Sequence, residues 1–124
     1  MAKILLAEDE EAVRAFVRRA LESHGHEVVE VVDGGQALEK LTNGDFDLLL
    51  SDIVMPVMDG IALALKVTVE RPGLPILLMT GFAAEKQRAH NLDALTTEVL
   101  SKPFTMEQLV RAVDKALSGL PRPG

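Results

Sequence analysis

The chain has 124 residues and 48% hydrophobic content, which is enough for one domain with a core of its own. Its net charge is −6 and its 13 basic residues are scattered, which argues against nucleic-acid binding because such binding depends on clustered Lys and Arg. The absence of cysteine excludes disulfides and thiolate metal sites, and without a signal-like stretch or an apolar run of roughly 18 residues we expect a soluble cytoplasmic protein.

Short apolar segments alternate with segments of helical period, which is the pattern of successive strand-helix-strand units around a parallel sheet. A first strand is predicted at Lys3–Ala7, followed by an amphipathic helix at about 10–24 that Gly25 can end. A more polar strand at 26–32 suits a sheet edge. Asp33 then resembles the first residue of a capping box and predicts a short second helix.

The two most apolar segments, 46–51 and Ile76–Thr80, predict central strands that helices cover on both faces. The segment between them alternates partly like a strand, but its Ala and Leu content favours a helix that Gly60 opens. We expect the core face of this helix to consist of Ile61, Ala64, Leu65 and Thr68. Leu63 and Val67 would then point towards solvent.

The last third of the chain has the weakest signals. Residues 88–97 show little periodicity, so the fourth helix is predicted to be short. A last strand follows at 99–101. Thr105 with Gln108 predicts a capping box that opens the final helix, and Gly119 can end it.

Together these elements predict one domain over residues 1–120, with a short C-terminal tail at 121–124. The fold class is α/β: a doubly wound, flavodoxin-like sheet of five parallel strands in the order 2-1-3-4-5, with five helices. In such sheets ligands bind beyond the carboxyl ends of the strands, where the winding reverses between strands one and three. We therefore expect the functional site at this edge.

Polar residues follow four of the predicted strands. Glu8 and Asp9 come after the first strand, Asp52 after the third, Thr80 at the end of the fourth and Lys102 after the fifth. Three carboxylates a few ångströms apart repel one another unless a cation is present, and oxygen ligands with room for water suit Mg²⁺. The sequence therefore predicts a magnesium site.

The same residues predict phosphoryl chemistry. Once its charge is neutralised, the Asp52 carboxylate can attack phosphorus and give an aspartyl phosphate. The Thr80 hydroxyl can hydrogen-bond one phosphoryl oxygen of the product, and the Lys102 ammonium can neutralise another.

Four motifs together resemble the receiver domain of two-component response regulators over essentially the whole chain; they are residues 5–9, 52–60, 80–81 and 102–104. The resemblance implies that Asp52 is the phosphoacceptor, that Asp9, Asp52 and the backbone carbonyl of Val54 bind Mg²⁺, and that Glu8 acts through water. It also implies that Thr80 and Lys102 form the switch pair.

The resemblance further implies a cis peptide bond before Pro103. It implies a phosphoacceptor switch with at most slow self-dephosphorylation, not an enzyme, and a histidine kinase or histidine phosphotransfer protein as the donor. A downstream partner protein would then gain or lose affinity for the phosphorylated chain.

Within this family the chain resembles the CpdR-type single-domain regulators of alphaproteobacteria through residues 1–9, 80–84 and 99–104. That resemblance implies control of proteolysis by ClpXP, with the ClpX unfoldase as the target. Val99 stands where many receivers have a Tyr or Phe that rotates on activation. We therefore expect the loop near Phe82 to rearrange instead.

Two other functions stay open. An Asp-nucleophile phosphohydrolase would share the Asp, Thr and Lys, but such enzymes resemble one another in a second Asp two residues after the nucleophile, where this chain has Val54. A phosphorylation-independent interaction module would keep the acidic cluster without using it. Asp59 is interpreted as a turn or cap residue before Gly60 and not as a metal ligand.

Overall fold

The computed structural model describes residues 1–92 and 98–118. The predicted helix end at Gly119 and the tail at 121–124 lie outside the described residues, as does the segment 93–97. In chain order the elements are β1 Lys3–Ala7, α1 Glu11–Ser23, β2 Glu27–Val31, α2 Gly34–Asn43, β3 Leu48–Asp52, α3 Gly60–Glu70, β4 Ile76–Thr80, α4 Ala83–His90, β5 Glu98–Ser101 and α5 Met106–Ser118. Within the described part of the chain, none of these helices combines the length and apolarity that crossing a membrane requires.

The five strands form one parallel sheet in the order β2-β1-β3-β4-β5, which confirms the predicted fold. Helices cover both faces of the sheet, and for that reason β1 and β3 are almost entirely buried. The more polar β2 lies at an edge. The register pairs Ala7 with Ser51 and Asp52 with Met79, so the central strands end close together at the carboxyl edge.

Alternate side chains of the strands enter two apolar layers on opposite faces of the sheet. The layer beneath α1 and α5 includes Ile4, Leu6, Leu21, Leu48, Leu50, Leu77, Met79, Leu109 and Val113. The layer beneath α2 and α3 includes Leu5, Ala37, Leu41, Leu49, Leu63 and Val67. A smaller cluster contains Ile53, Ile61, Ala64, Leu78, Ala89 and Val99. Because both faces are sealed, the ends of the strands are the accessible part of the sheet.

Both predicted N-caps are confirmed, although at α2 the Gln36 side chain accepts from the Val32 N–H at 3.1 Å and not from the Asp33 N–H. Asp33 Oδ1 accepts a hydrogen bond from the Gln36 backbone N–H at 2.8 Å, and this begins α2. At the start of α5, Thr105 Oγ1 accepts from the Gln108 N–H at 3.1 Å, and Gln108 Oε1 accepts from the Thr105 N–H at 2.9 Å. These bonds satisfy backbone groups that have no partner inside the helix.

The predicted core face of α3 is wrong in part. Leu63 and Val67, which were expected to face solvent, are buried, whereas Leu65 and Thr68 are only half-buried. The helix packs into two apolar clusters at once, with Leu63 and Val67 in one and Ile61 in the other. A helix packed on two sides buries a wider arc than the single apolar stripe that we assumed.

Candidate functional site

The structure brings together the three acidic residues at the strand ends. Glu8 and Asp9 follow β1, Asp52 ends β3, and these two strands are hydrogen-bonded neighbours. One carboxylate oxygen from each of Glu8, Asp9 and Asp52 lies within 4.8 Å of the others. Glu8 is fully buried, Asp52 is 7% exposed and Asp9 is exposed, so solvent reaches the cluster on the side of Asp9.

Lys102, which follows β5, supplies a positive charge to this cluster. Its Nζ lies 2.8 Å from Glu8 Oε1 and 3.3 Å from Asp52 Oδ2. Its backbone N–H donates to the Thr80 carbonyl at 2.8 Å, and the peptide bond to Pro103 is cis, as the resemblance implied. The lysine therefore bridges the two buried carboxylates.

Thr80 lies on the strand between those that carry Asp52 and Lys102. It is the last residue of β4 and is buried. Its Oγ1 accepts a hydrogen bond from the Phe82 N–H at 3.1 Å, so the hydroxyl fixes the turn that leads into α4. The side chain of Phe82 is exposed.

Burial has the largest influence on the pKa values of the buried acids. It raises the pKa of Glu8 and of Asp52, and the charges of neighbouring carboxylates raise these values further, whereas Lys102 lowers them. Burial by itself would lower the pKa of Lys102, but the hydrogen bond to Glu8 and the charge of Asp52 raise it overall. Buried acids with raised pKa values indicate a site that further positive charge would stabilise.

Glu8 is held in place by its own strand end and by α1. Its Oε2 accepts a hydrogen bond from the Glu10 N–H at 3.0 Å, and its carbonyl accepts from Arg14 Nη1 at 3.0 Å. Sequence reasoning missed this role of Arg14, although its position on the first turns of α1 places it near the end of β1. The Glu10 N–H and Lys102 therefore fix the buried carboxylate of Glu8, while Arg14 fixes its backbone.

The loop between β3 and α3, residues 53–59, contributes Val54 to the lining of a cleft of about 360 Å³ at Asp52. The cleft is lined by Asp9, Glu10, Asp52, Val54, Gly81, Phe82 and Lys102. Gly60 allows this loop to return tightly, because its N–H donates to the Ile53 carbonyl at 2.7 Å and a Cβ there would collide with the Asp52 carbonyl oxygen. The loop is thus packed against the backbone of Asp52.

Asp59 is a helix cap, as interpreted from the sequence. Its Oδ1 accepts from the Ala62 N–H at 2.8 Å, and its Oδ2 lies 2.9 Å from Arg88 Nη2. Burial alone would raise the pKa of Asp59, but the Ala62 N–H and Arg88 lower it overall. Sequence reasoning missed Arg88, because it lies in the segment of weak signals and no pattern connects it to a residue 29 positions away.

The sheet order, the acids around Asp52 and the positions of Thr80 and Lys102 point to one class of protein. Residues 4–114 match the response regulator receiver domain family, and the chain belongs to this family. Receiver domains are parts of two-component systems, bind Mg²⁺ and typically act as phosphoacceptor switches.

Among curated relatives, the chain is 44% identical over 117 residues to the response regulator receiver protein CpdR of Brucella abortus, covering 94% of this chain and 98% of CpdR. It is 34% identical over 124 residues to the transcriptional regulatory protein TcrA of Mycobacterium tuberculosis, covering 98% of this chain but only 49% of TcrA, about half its length. A crystal structure of the response regulator TrrA from Thermotoga maritima in complex with Mg²⁺-BeF has a TM-score of 0.84 at 28% identity, covering 94% of this chain and 100% of that one. The chain is thus a receiver domain related to CpdR.

Proposed function

We propose that Asp52 accepts a phosphoryl group from a histidine kinase or histidine phosphotransfer protein in a Mg²⁺-dependent reaction, and that this changes the affinity of the chain for a partner protein. The observation that carries the proposal is the surroundings of the Asp52 carboxylate, which has two carboxylates within 4.8 Å and the Lys102 ammonium at 3.3 Å. Asp52 also lines an open cleft, which gives a donor access to it.

The donor set fits Mg²⁺. Three carboxylate oxygens within 4.8 Å are hard ligands of the kind this ion prefers, and the exposed side leaves space for water. In our proposal Asp9, Asp52 and the backbone carbonyl of Val54 bind the ion, while Glu8 acts through water. When bound, Mg²⁺ would neutralise the charge of the carboxylates and of the phosphoryl oxygens.

In the proposed transfer, an Asp52 carboxylate oxygen forms a bond to phosphorus while the bond from phosphorus to the donor histidine nitrogen breaks. The Lys102 ammonium, at 3.3 Å from Asp52 Oδ2, is near enough to pair with a phosphoryl oxygen on that side. The Thr80 hydroxyl accepts from the Phe82 N–H and so retains its own proton for donation to another phosphoryl oxygen. The chemistry therefore rests on Asp52, Thr80 and Lys102.

The proposed switch starts at Thr80. The product adds a charge of about −1.5 to −2 to the cleft, and a movement of the Thr80 hydroxyl towards it would weaken the bond to the Phe82 N–H. The exposed Phe82 ring would then change position. Val99 is packed inside an apolar cluster, which supports the loop near Phe82 as the moving part.

The similarity to CpdR covers 98% of that relative, and this supports a downstream partner like that of CpdR-type regulators. On the resemblance to CpdR-type regulators we propose ClpX as the partner and regulated proteolysis as the process, in the cytoplasm. Phosphorylation can act on such a partner only if the two forms of the chain bind it with different affinity.

Acetyl phosphate tests the acceptor. Acetyl phosphate is incubated in Mg²⁺ or in EDTA with three proteins: wild type, Asp52→Asn and Asp45→Asn. The last is the control, because it removes a fully exposed acid before β3. The intact mass of each protein is then measured. Wild type and Asp45→Asn are expected to gain one phosphoryl group in Mg²⁺ only, and Asp52→Asn none. No gain in wild type, or an equal gain in Asp52→Asn, would overturn the proposal.

Binding to purified ClpX tests the output. Wild type is titrated into ClpX with and without prior phosphorylation, and the two dissociation constants are expected to differ. For Asp52→Asn the two constants are expected to be the same. Phe82→Ala should accept the phosphoryl group but show no difference between the two dissociation constants. An unchanged partner response would contradict the role of Phe82.

Two other outcomes favour the alternative functions. Partner binding that does not depend on phosphorylation favours the interaction module, and rapid turnover of a small phosphate ester favours the phosphohydrolase.

A further inference from the structure

Helix α4 is held to the rest of the domain by few contacts. Within the described residues 83–90, Ala89 is the only buried side chain. Among the described residues, the polar contacts of α4 and of its preceding residue Phe82 with other elements are the pairs Phe82–Thr80, Lys86–Ser101 and Arg88–Asp59. A short helix with one small buried side chain depends on such contacts for its position.

Each of these polar attachments leads to a residue in or beside the site. Thr80 belongs to the proposed reacting set, and Ser101 directly precedes Lys102. Asp59 ends the loop that begins after Asp52. The position of α4 is therefore coupled by direct contacts to the ends of β4 and β5 and to the loop that follows β3.

The attachment at Asp59 differs from the other contacts of its loop. Met58 and the Asp52 backbone are packed so closely against Gly34 and Gly60 that a Cβ at either glycine would collide with a carbonyl oxygen. Those contacts fix the loop sterically. The Arg88–Asp59 pair, in contrast, joins side chains that are 48% and 36% exposed, and it can open without disturbing the core.

We propose that the Asp59–Arg88 pair is a conformational tether that holds α4 and the loop 53–59 in the arrangement seen here, and that its opening favours phosphoryl acceptance by Asp52. This inference rests on the proposed function. Movement of Thr80 towards a phosphoryl group loosens the start of α4, whereas the tether restrains its far end. Arg88 is then a positioning residue, since it acts on Asp52 through Asp59 and the loop.

The size of the effect follows from the exposure of the pair. Exposed ion pairs shift an equilibrium by roughly 1.5- to 5-fold. In this proposal the open arrangement accepts the phosphoryl group, so the initial rate rises by the same factor as the population of that arrangement. A modest but measurable regulatory effect is therefore expected.

The two oxygens of Asp59 allow the tether to be removed alone. Asp59→Asn keeps Oδ1 as the cap of α3, at 2.8 Å from the Ala62 nitrogen, and replaces the oxygen that pairs with Arg88. Arg88→Gln removes the other partner, and Arg88→Lys keeps its charge. Glu85→Gln is the matched control, because Glu85 Oε1 lies 3.2 Å from the same arginine but belongs to α4 itself.

Two measurements are made on each variant: hydrogen exchange of the α4 amides without acetyl phosphate, and the initial rate of phosphorylation by acetyl phosphate with Mg²⁺. Asp59→Asn and Arg88→Gln are expected to raise both rates by roughly 1.5- to 5-fold. Glu85→Gln and Arg88→Lys should stay near wild type.

Faster exchange with an unchanged phosphorylation rate would reduce the pair to a structural contact, and unchanged exchange would mean that it does not hold α4. Either result overturns the inference. If wild type takes up no phosphoryl group, the proposed function fails and the coupling fails with it. The exchange data then still decide whether the pair restrains the helix, so the two failures are distinguishable.

Discussion

Lys102 and Glu8 are 94 residues apart in the sequence, yet Lys102 Nζ lies 2.8 Å from Glu8 Oε1. The strands that precede them, β1 and β5, are separated in the sheet by β3 and β4, and the lysine side chain extends across this edge. Glu8 is fully buried, and a buried carboxylate is stable only when it is paired. The pair therefore belongs to the stability of the domain as well as to its site.

Lys102→Met is expected to lower the free energy of unfolding by about 1 to 3 kcal/mol at neutral pH in EDTA, because it leaves the Glu8 carboxylate buried without its cation. Urea denaturation measures the loss. Lys115→Met is the matched control: its Nζ lies 2.8 Å from Glu98 Oε1, but the two side chains are 68% and 57% exposed, so a change below about 0.5 kcal/mol is expected. Equal losses in the two variants would contradict the importance of burial.

Magnesium is expected to stabilise wild type against urea by about 2.7 kcal/mol when its concentration is 100 times the dissociation constant. Asp9→Asn should lose most of this gain because it removes a ligand oxygen. In EDTA the same variant should be slightly more stable than wild type, since the charge of Asp9 disfavours the ionised Asp52. Glu11→Gln, which changes an exposed acid on the first turn of α1, should keep the full response; a similar loss there would reject a local site.

Leu63→Ala tests the corrected face of α3. The side chain is fully buried in the layer against the sheet, so its truncation should cost about 2 to 5 kcal/mol of unfolding free energy. Val69→Ala on the same helix removes a side chain that is 81% exposed and should change stability by less than about 0.5 kcal/mol. Chemical denaturation of both variants decides the orientation, and a loss from Leu63→Ala as small as that from Val69→Ala would restore the solvent-facing position that the sequence predicted for Leu63.

His26 is expected to make stability depend on pH near neutrality. Its Nδ1 accepts a hydrogen bond from the Ala2 N–H at 3.1 Å, and burial lowers its pKa below the ordinary value of 6.5. The unfolded chain therefore binds the proton more readily, and the stability contributed by neutral His26 is present above pH 6.5 and is lost as the pH falls below it.

His26→Asn keeps an acceptor for the Ala2 N–H but does not titrate. As the pH is lowered from about 8 to about 5.5, the unfolding free energy of wild type should therefore fall relative to that of the variant. His90→Asn, at the exposed end of α4, serves as the control. A difference between wild type and His26→Asn that is constant with pH would exclude the effect.

The parallel sheet could be predicted from the position of apolar segments in the chain, and the meeting of Glu8, Asp9 and Asp52 followed once the known doubly wound strand order was assumed. Such segments must be buried, and in a parallel sheet their carboxyl ends lie at one edge. The caps at Asp33 and Thr105 could be predicted for a similar reason, since each joins residues only three positions apart. The face of α3 could not, because the pattern shows which residues are apolar but not how many neighbours the helix will have.

Local periodicity in the sequence was enough for the alternation of strands and helices and for the residues that end each strand. The acidic cluster followed from the known doubly wound order, and the family from a resemblance carried by four motifs. Only the packed molecule revealed that Lys102 bridges Glu8 and Asp52 and that Arg88 holds Asp59. Such pairs join residues 94, 50 and 29 positions apart. The distance between the two side chains of each pair depends on how several elements pack together, and it cannot be inferred from any single segment of the sequence.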